Sequence, residues 1–173
     1  MPRDPSKLMP PDLVDSKCTE CGAQVPAEFS SCDEFFVSLL TPLGLRGVES
    51  SEVAALGRLL VDTFAMQHPG RSCKSVKSYA AHLTGLCCGV EYSGARSVYA
   101  ALQRWLSRSA EAIGIGRPTE PDYRGALTIR YVYDAHTEAE SAARVHAWAK
   151  GVWETYSSQH EIARDWIRKA TGE

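Results

Sequence analysis

Residues 51–92 read SEVAALGRLLVDTFAMQHPGRSCKSVKSYAAHLTGLCCGVEY. Val53, Leu56, Leu60 and Phe64 recur at intervals of three and four, the spacing of one apolar helix face, and Ser50 or Ser51 is available as N-cap. Pro69-Gly70 ends this helix. Tyr79, His82, Leu83, Leu86 and Val90 then share one face of a second helix from about Ser75 to Tyr92. Two amphipathic helices joined by a short connection pack as an antiparallel hairpin, here residues 51–92. Outward from the hairpin, Gly94 breaks the chain before a third helix, Ala95–Ser109, built on Val98, Leu102, Trp105 and Leu106. Upstream, Phe35, Phe36, Leu39 and Leu40 mark a short helix from Cys32 that Pro42 stops.

Downstream, Gly114, Gly116, Pro118 and Pro121 form a loop. Thr137 and Glu140 make a capping box, and Ala142, Val145, Ala149, Val152, Tyr156, Ala163 and Ile167 line one or two closing helices, residues 137–170. Leu127–Tyr133 has the β-branched and aromatic composition of a short strand, although the helical chain around it offers no obvious partner. The expected fold is mainly α: a single-domain helical bundle of roughly five helices over residues 18–173, with an N-terminal knuckle at 18–32 and at most one short β element.

Met1–Lys17 holds Pro2, Pro5, Pro10 and Pro11 without periodicity and reads as a flexible tail. It is Pro-rich and charged where a secretion signal needs an apolar core, and no stretch approaches the roughly 18 apolar residues of a membrane span. The chain therefore reads as cytoplasmic, with no membrane partner. Its net charge of −2 gives no support to nucleic-acid binding, although residues 46–108 carry eight basic against four acidic groups. No Gly-x-Ser-x-Gly elbow, phosphate-binding Gly-x-x-x-x-Gly-Lys loop or dinucleotide fingerprint is present.

Six cysteines in a reducing compartment point to metal ligands or core thiols rather than disulfides. Cys18-Thr-Glu-Cys21-Gly22 is the strongest local signal, because two thiolates two residues apart grip one ion when a glycine turns the chain tightly behind them. Zn2+ is the default metal, and Cys32 lies close enough to fold back onto it. His68 ends the four-residue stagger Leu56, Leu60, Phe64 and stands on the apolar face. An imidazole there serves as a ligand or bonds a carbonyl at the helix end. Cys73 and His82 are the alternates for the fourth ligand. Cys87 and Cys88 diverge by about 100° on their helix and read as one core and one surface thiol.

Arg71, Lys74 and Lys77, beside Ser72, Ser75 and Ser78, surround the start of the second hairpin helix. Free N–H groups and the helix dipole favour an anion there, so these three residues form a candidate anion-binding site, against which stands an ordinary solvated basic helix end.

The motifs Cys18-x-x-Cys21-Gly22-Ala23, Cys32 before Phe35, and Gln67-His68-Pro69 together resemble an uncharacterised bacterial family of small proteins with an N-terminal CxxCGA knuckle and a Gln-His-Pro box. The resemblance covers about the first half of the chain. It implies a metal site drawing on the cysteine pair and His68, and it implies no activity. Members of that family carry a His-His pair about ten residues before the Gln-His-Pro histidine, where this chain has Gly57 and Arg58. If those histidines are ligands in the relatives, the fourth ligand here is lost or replaced by Cys73 or His82.

Two functional readings follow. The first is a non-catalytic, zinc-stabilised helical protein that binds a protein partner or a small anionic ligand, since sulfur-rich ligation is usually structural. The second is a metal-dependent enzyme in which two cysteines and a histidine leave the fourth position to water while His82 or Glu91 moves protons. Coordination number separates them.

Overall fold

A computed structural model describes residues 15–40, 51–108 and 118–173. Two-residue strands β1 (Ser16–Lys17) and β2 (Gln24–Val25) pair antiparallel, Ser16 opposite Val25. Among the described residues eight helices follow: α1 (Cys32–Leu40), α2 (Ser51–Gln67), α3 (Pro69–Ser72), α4 (Val76–Glu91), α5 (Arg96–Arg108), α6 (Ile129–Tyr133), α7 (Glu138–Thr155) and α8 (His160–Thr171). The number exceeds five because α3 and α6 are single short turns and a 3₁₀ turn, Ser157–Gln159, divides the closing segment in two. Pro42, Gly114 and Gly116 lie outside the described residues, as do residues 1–14 of the expected tail, whose last two residues are β1.

The hairpin is α2 against α4, with four-residue α3 between them. Pro69 opens α3, where a missing N–H costs nothing. Ser75 and Ser78 cap α4 reciprocally, each side chain taking the other's backbone N–H at 3.0 Å. α4 also packs on α5, α7 and α8, and every residue from Leu83 to Gly89 is buried. A helix covered on all sides is apolar on all sides. This corrects the expectation for Cys88, which is as fully buried as Cys87. Burial pushes the Cys88 thiol up to about 12 and Cys87 higher still, so both stay neutral.

Leu127–Tyr133 is not a strand. Ile129 and Val132, three apart, turn inward from helix α6, and Arg144 of α7 donates to the Tyr131 carbonyl at 2.8 Å with its guanidinium over the Tyr131 ring. Among the described residues the segment joins neither β1 nor β2; it meets its backbone needs locally, and burial of two side chains at helical spacing overrides its β propensity. At the start of α7, Thr137 accepts the Glu140 N–H at 3.1 Å, but Glu140 reaches back to the His136 N–H, so only half of the expected capping box forms.

One apolar core runs from Ala23 and Val25 of the knuckle through Leu60, Tyr79 and Trp148 to Ile167. Two side chains inside it are tied to backbone. Tyr156 O–H donates to the Met66 carbonyl at 2.7 Å, and Gln67 Nε2 donates to the carbonyls of Arg124 and Leu127, each at 2.8 Å. The last turn of α2 is thereby fastened to α7 and to the loop before α6.

Two glycines separate packing from propensity. A Cβ on Gly85 of α4 would fall 2.1 Å from Asp62 Oδ2, whereas one on Gly151 of α7 meets nothing within 4 Å. Gly85→Ala should cost about 1–3 kcal/mol through overpacking, and Gly151→Ala should stabilise by about 0.5–1 kcal/mol through helix propensity. Chemical denaturation of both variants checks the pair of signs.

Candidate metal centre

The β1–β2 hairpin builds the first half of the site. Cys18 N–H donates to the Ala23 carbonyl and Gly22 N–H to the Cys18 carbonyl, both at 2.9 Å, and Gly22 takes φ +76°, which a side chain rarely adopts. Ala23 N–H points at Cys21 Sγ from 3.4 Å. Cys32 is the first residue of α1, whose start is fixed by Ser31 Oγ accepting the Glu34 N–H at 3.1 Å and by Glu34 accepting from the Ser30 backbone and hydroxyl. Phe29 stacks on buried Phe35 and seats this helix against the knuckle.

His68, fully buried, comes from the end of α2. Its Nδ1–H donates to the Phe64 carbonyl at 2.7 Å and its ring stacks on Phe64, which stacks on Phe36 of α1. The carbonyl bond open to this residue is made, and it leaves Nε2 with its lone pair outward, free to serve a metal ion. Nε2 lies 3.5 Å from Cys32 Sγ and 3.6 Å from Cys18 Sγ, and Cys21 Sγ is 3.8 Å from Cys32 Sγ. All four ligand atoms lie within 4.8 Å of one another.

These three separations are those that a tetrahedral ion such as Zn2+ would require. With Zn–S near 2.3 Å and Zn–N near 2.05 Å, tetrahedral angles place sulfurs about 3.8 Å apart and sulfur and nitrogen about 3.6 Å apart. The Cys32 thiol hydrogen-bonded to Cys21 pulls the Cys21 thiol down to about 4 against the opposing effect of burial, with further help from His68. The same contact pushes Cys32 strongly up. Two sulfurs this close both ionise only with a cation between them.

Arg71 of α3 completes the surroundings. Its Nε donates to Glu20 at 2.6 Å, Nη1 to Asp33, and Nη2 to Cys18 Sγ at 3.4 Å. One guanidinium thus ties the knuckle, α1 and α3 together and lends positive charge to a sulfur. Sequence reasoning grouped Arg71 with Lys74 and Lys77 and missed this role. Its place three residues after His68, one helical turn away, was the available signal. Lys74 donates to the Gly70 carbonyl at 3.1 Å, Lys77 is half-buried on the first turn of α4, and the Ser75–Ser78 cap occupies backbone donors there.

Neither alternate ligand joins the cluster. Cys73 is buried elsewhere in the core, and His82 Nδ1 bonds Asp62 at 2.9 Å. Gly57 and Arg58 line the same cavity as His82, so the four-atom cluster forms without them. Glu91, expected with His82 as a proton-transfer group, accepts from Arg164 Nε and Nη2 and from Trp153 Nε1, and Arg164 above all holds its carboxyl below the usual range.

Among the described residues no helix is long and apolar enough to cross a membrane. No curated protein and no solved structure matches the chain. A family model matches residues 16–157, from β1 through α7, and therefore takes in all four clustered residues. The chain belongs to that family, a family of unknown function, DUF5946.

Proposed function

We propose that this protein is a zinc-stabilised helical binding protein, in which the ion is structural and the function is to hold a small anionic ligand or a partner. One observation carries the metal half of the reading: three sulfurs and one oriented imidazole nitrogen gather within 4.8 Å of one another, and three of their separations, 3.5–3.8 Å, are what a tetrahedral ion requires. Four protein donors fill a zinc shell and leave no position for a reacting water, as in structural sites. Neither His82 nor Glu91 stands at the cluster to move a proton. An ion there would join residues 18–32 to His68, up to 50 positions along the chain, and its binding energy is available only to the folded state.

X-ray absorption of the zinc-loaded protein tests this directly. The expected shell is three sulfurs at about 2.3 Å and one nitrogen at about 2.0–2.1 Å, with about one zinc per chain by elemental analysis. A shell of three protein ligands and an oxygen would favour the metal-dependent enzyme instead.

Two further outcomes are expected. Cys18→Ser and Cys21→Ser should each lower the melting temperature more than Lys74→Ala, because only the first two remove an ion ligand; Cys88→Ser is not a neutral control, being buried. Arg71→Met should weaken zinc binding by about tenfold or more, the usual effect of losing a group that supports a metal ligand. Chelator competition measures it, with Lys74→Met as the unaffected comparison.

A further inference from the structure

Asp62 of α2 is 8% exposed, and a carboxylate that deep needs partners. His82 Nδ1–H meets Oδ1 at 2.9 Å, and the Tyr99 hydroxyl, which donates to the Gly85 carbonyl at 2.8 Å, lies 3.4 Å from Oδ2. The chain gives up a side chain at Gly85 to seat this carboxylate, since any Cβ would collide with it. A bond from Nδ1–H to a carboxylate fixes the tautomer and turns Nε2 outward as an acceptor. That nitrogen carries no hydrogen bond among the described residues. One helical turn earlier on α2, the Arg58 guanidinium lies over the Tyr99 ring, 4.7 Å from its centre. Its Nε is buried without a hydrogen-bond partner, and Arg58 makes no ion pair among the described residues.

These four side chains form the polar floor of a cavity of about 550 Å³ between α2, α4 and α5, walled by Leu40, Val61, Leu102 and Leu106. An apolar chamber of this size with a few convergent polar groups is the general form of a small-molecule site. A free acceptor, a guanidinium that feels the Asp62 charge but makes no ion pair among the described residues, and apolar walls specify the occupant.

We propose that this cavity binds a small organic carboxylate with an apolar body and a hydroxyl group, the carboxylate on Arg58 and the hydroxyl donating to His82 Nε2. The proposal rests on the binding half of the function above and is independent of the metal. Arg58 lines the cavity from α2 and His82 from α4, so the ligand carries its two polar groups at opposite ends of its apolar body. Planar guanidinium and carboxylate match bidentately.

The probe is 4-hydroxyphenylacetate, titrated calorimetrically into the zinc-loaded full chain. Phenylacetate, without the hydroxyl, and 4-hydroxyphenylethanol, without the carboxylate, are its controls. The expected result is saturable one-to-one binding, weakened about tenfold for either control. Arg58→Met, which keeps an apolar stem, should weaken both carboxylates by about tenfold and leave 4-hydroxyphenylethanol unchanged. Leu102→Trp should fill the cavity and abolish binding while zinc content stays at the wild-type level. Absence of saturable binding up to about 10 mM overturns the proposal. So does binding indifferent to Arg58→Met and lost in Lys77→Glu, which places the ligand at the start of α4 and leaves the binding function standing. Loss of the metal reading shows separately, in the zinc content.

Discussion

The bond from His68 Nδ1–H to the Phe64 carbonyl is the constraint on which the arrangement turns. It gives a second donor to a carbonyl near the end of α2 that already takes the His68 backbone N–H, fixes which imidazole nitrogen is free, and aims that nitrogen at Cys18 and Cys32. Without it the ring would choose between capping its helix and meeting the sulfurs. With it the helix end and the knuckle become one object, and the stacked rings of Phe36, Phe64 and His68 extend that object into α1.

Around this junction the chain uses polar groups as fasteners rather than as surface. Gln67, next to His68, holds the loop before α6 through two carbonyls, and Pro69 starts the short helix that carries Arg71. Three consecutive residues thus serve three neighbouring pieces of structure. Arg71 works the same way in reverse, reaching from one short helix to Glu20, Asp33 and Cys18. Buried groups of this kind add less to net stability than to uniqueness of arrangement, because each is costly to leave unmade.

Much of this was legible in the residues themselves. Apolar periodicity and the break at Pro69-Gly70 outline α2 and α4, and the Cys18-x-x-Cys21-Gly22 spacing with the stagger ending in His68 singles out the residues that cluster. What stayed hidden depends on distant neighbours. Leu127–Tyr133 has strand composition, and α6 is helical because its surroundings bury Ile129 and Val132 at helical spacing and, among the described residues, pair no strand with it. That Cys88 is buried follows from the position of α4 among four helices, which its own period does not reveal. Arg71 could not be matched to Glu20 and Asp33, 51 and 38 positions away. The Asp62–His82 pair was missed because the apolar face of each hairpin helix drew attention away from the one acid that turns inward.

Asp62, Gln67 and His68 ride on or directly abut a single uninterrupted helix, with five residues between the first and the last. Their separation and relative bearing are set by helical rise and pitch alone. One inserted or deleted residue in that interval would turn one end by about 100° against the other, so that a histidine aimed at the sulfurs and an aspartate seated at Gly85 could no longer coexist. Residues 63–67 can therefore vary in kind far more readily than in number, and any descendant of this chain that keeps both ends must keep this count.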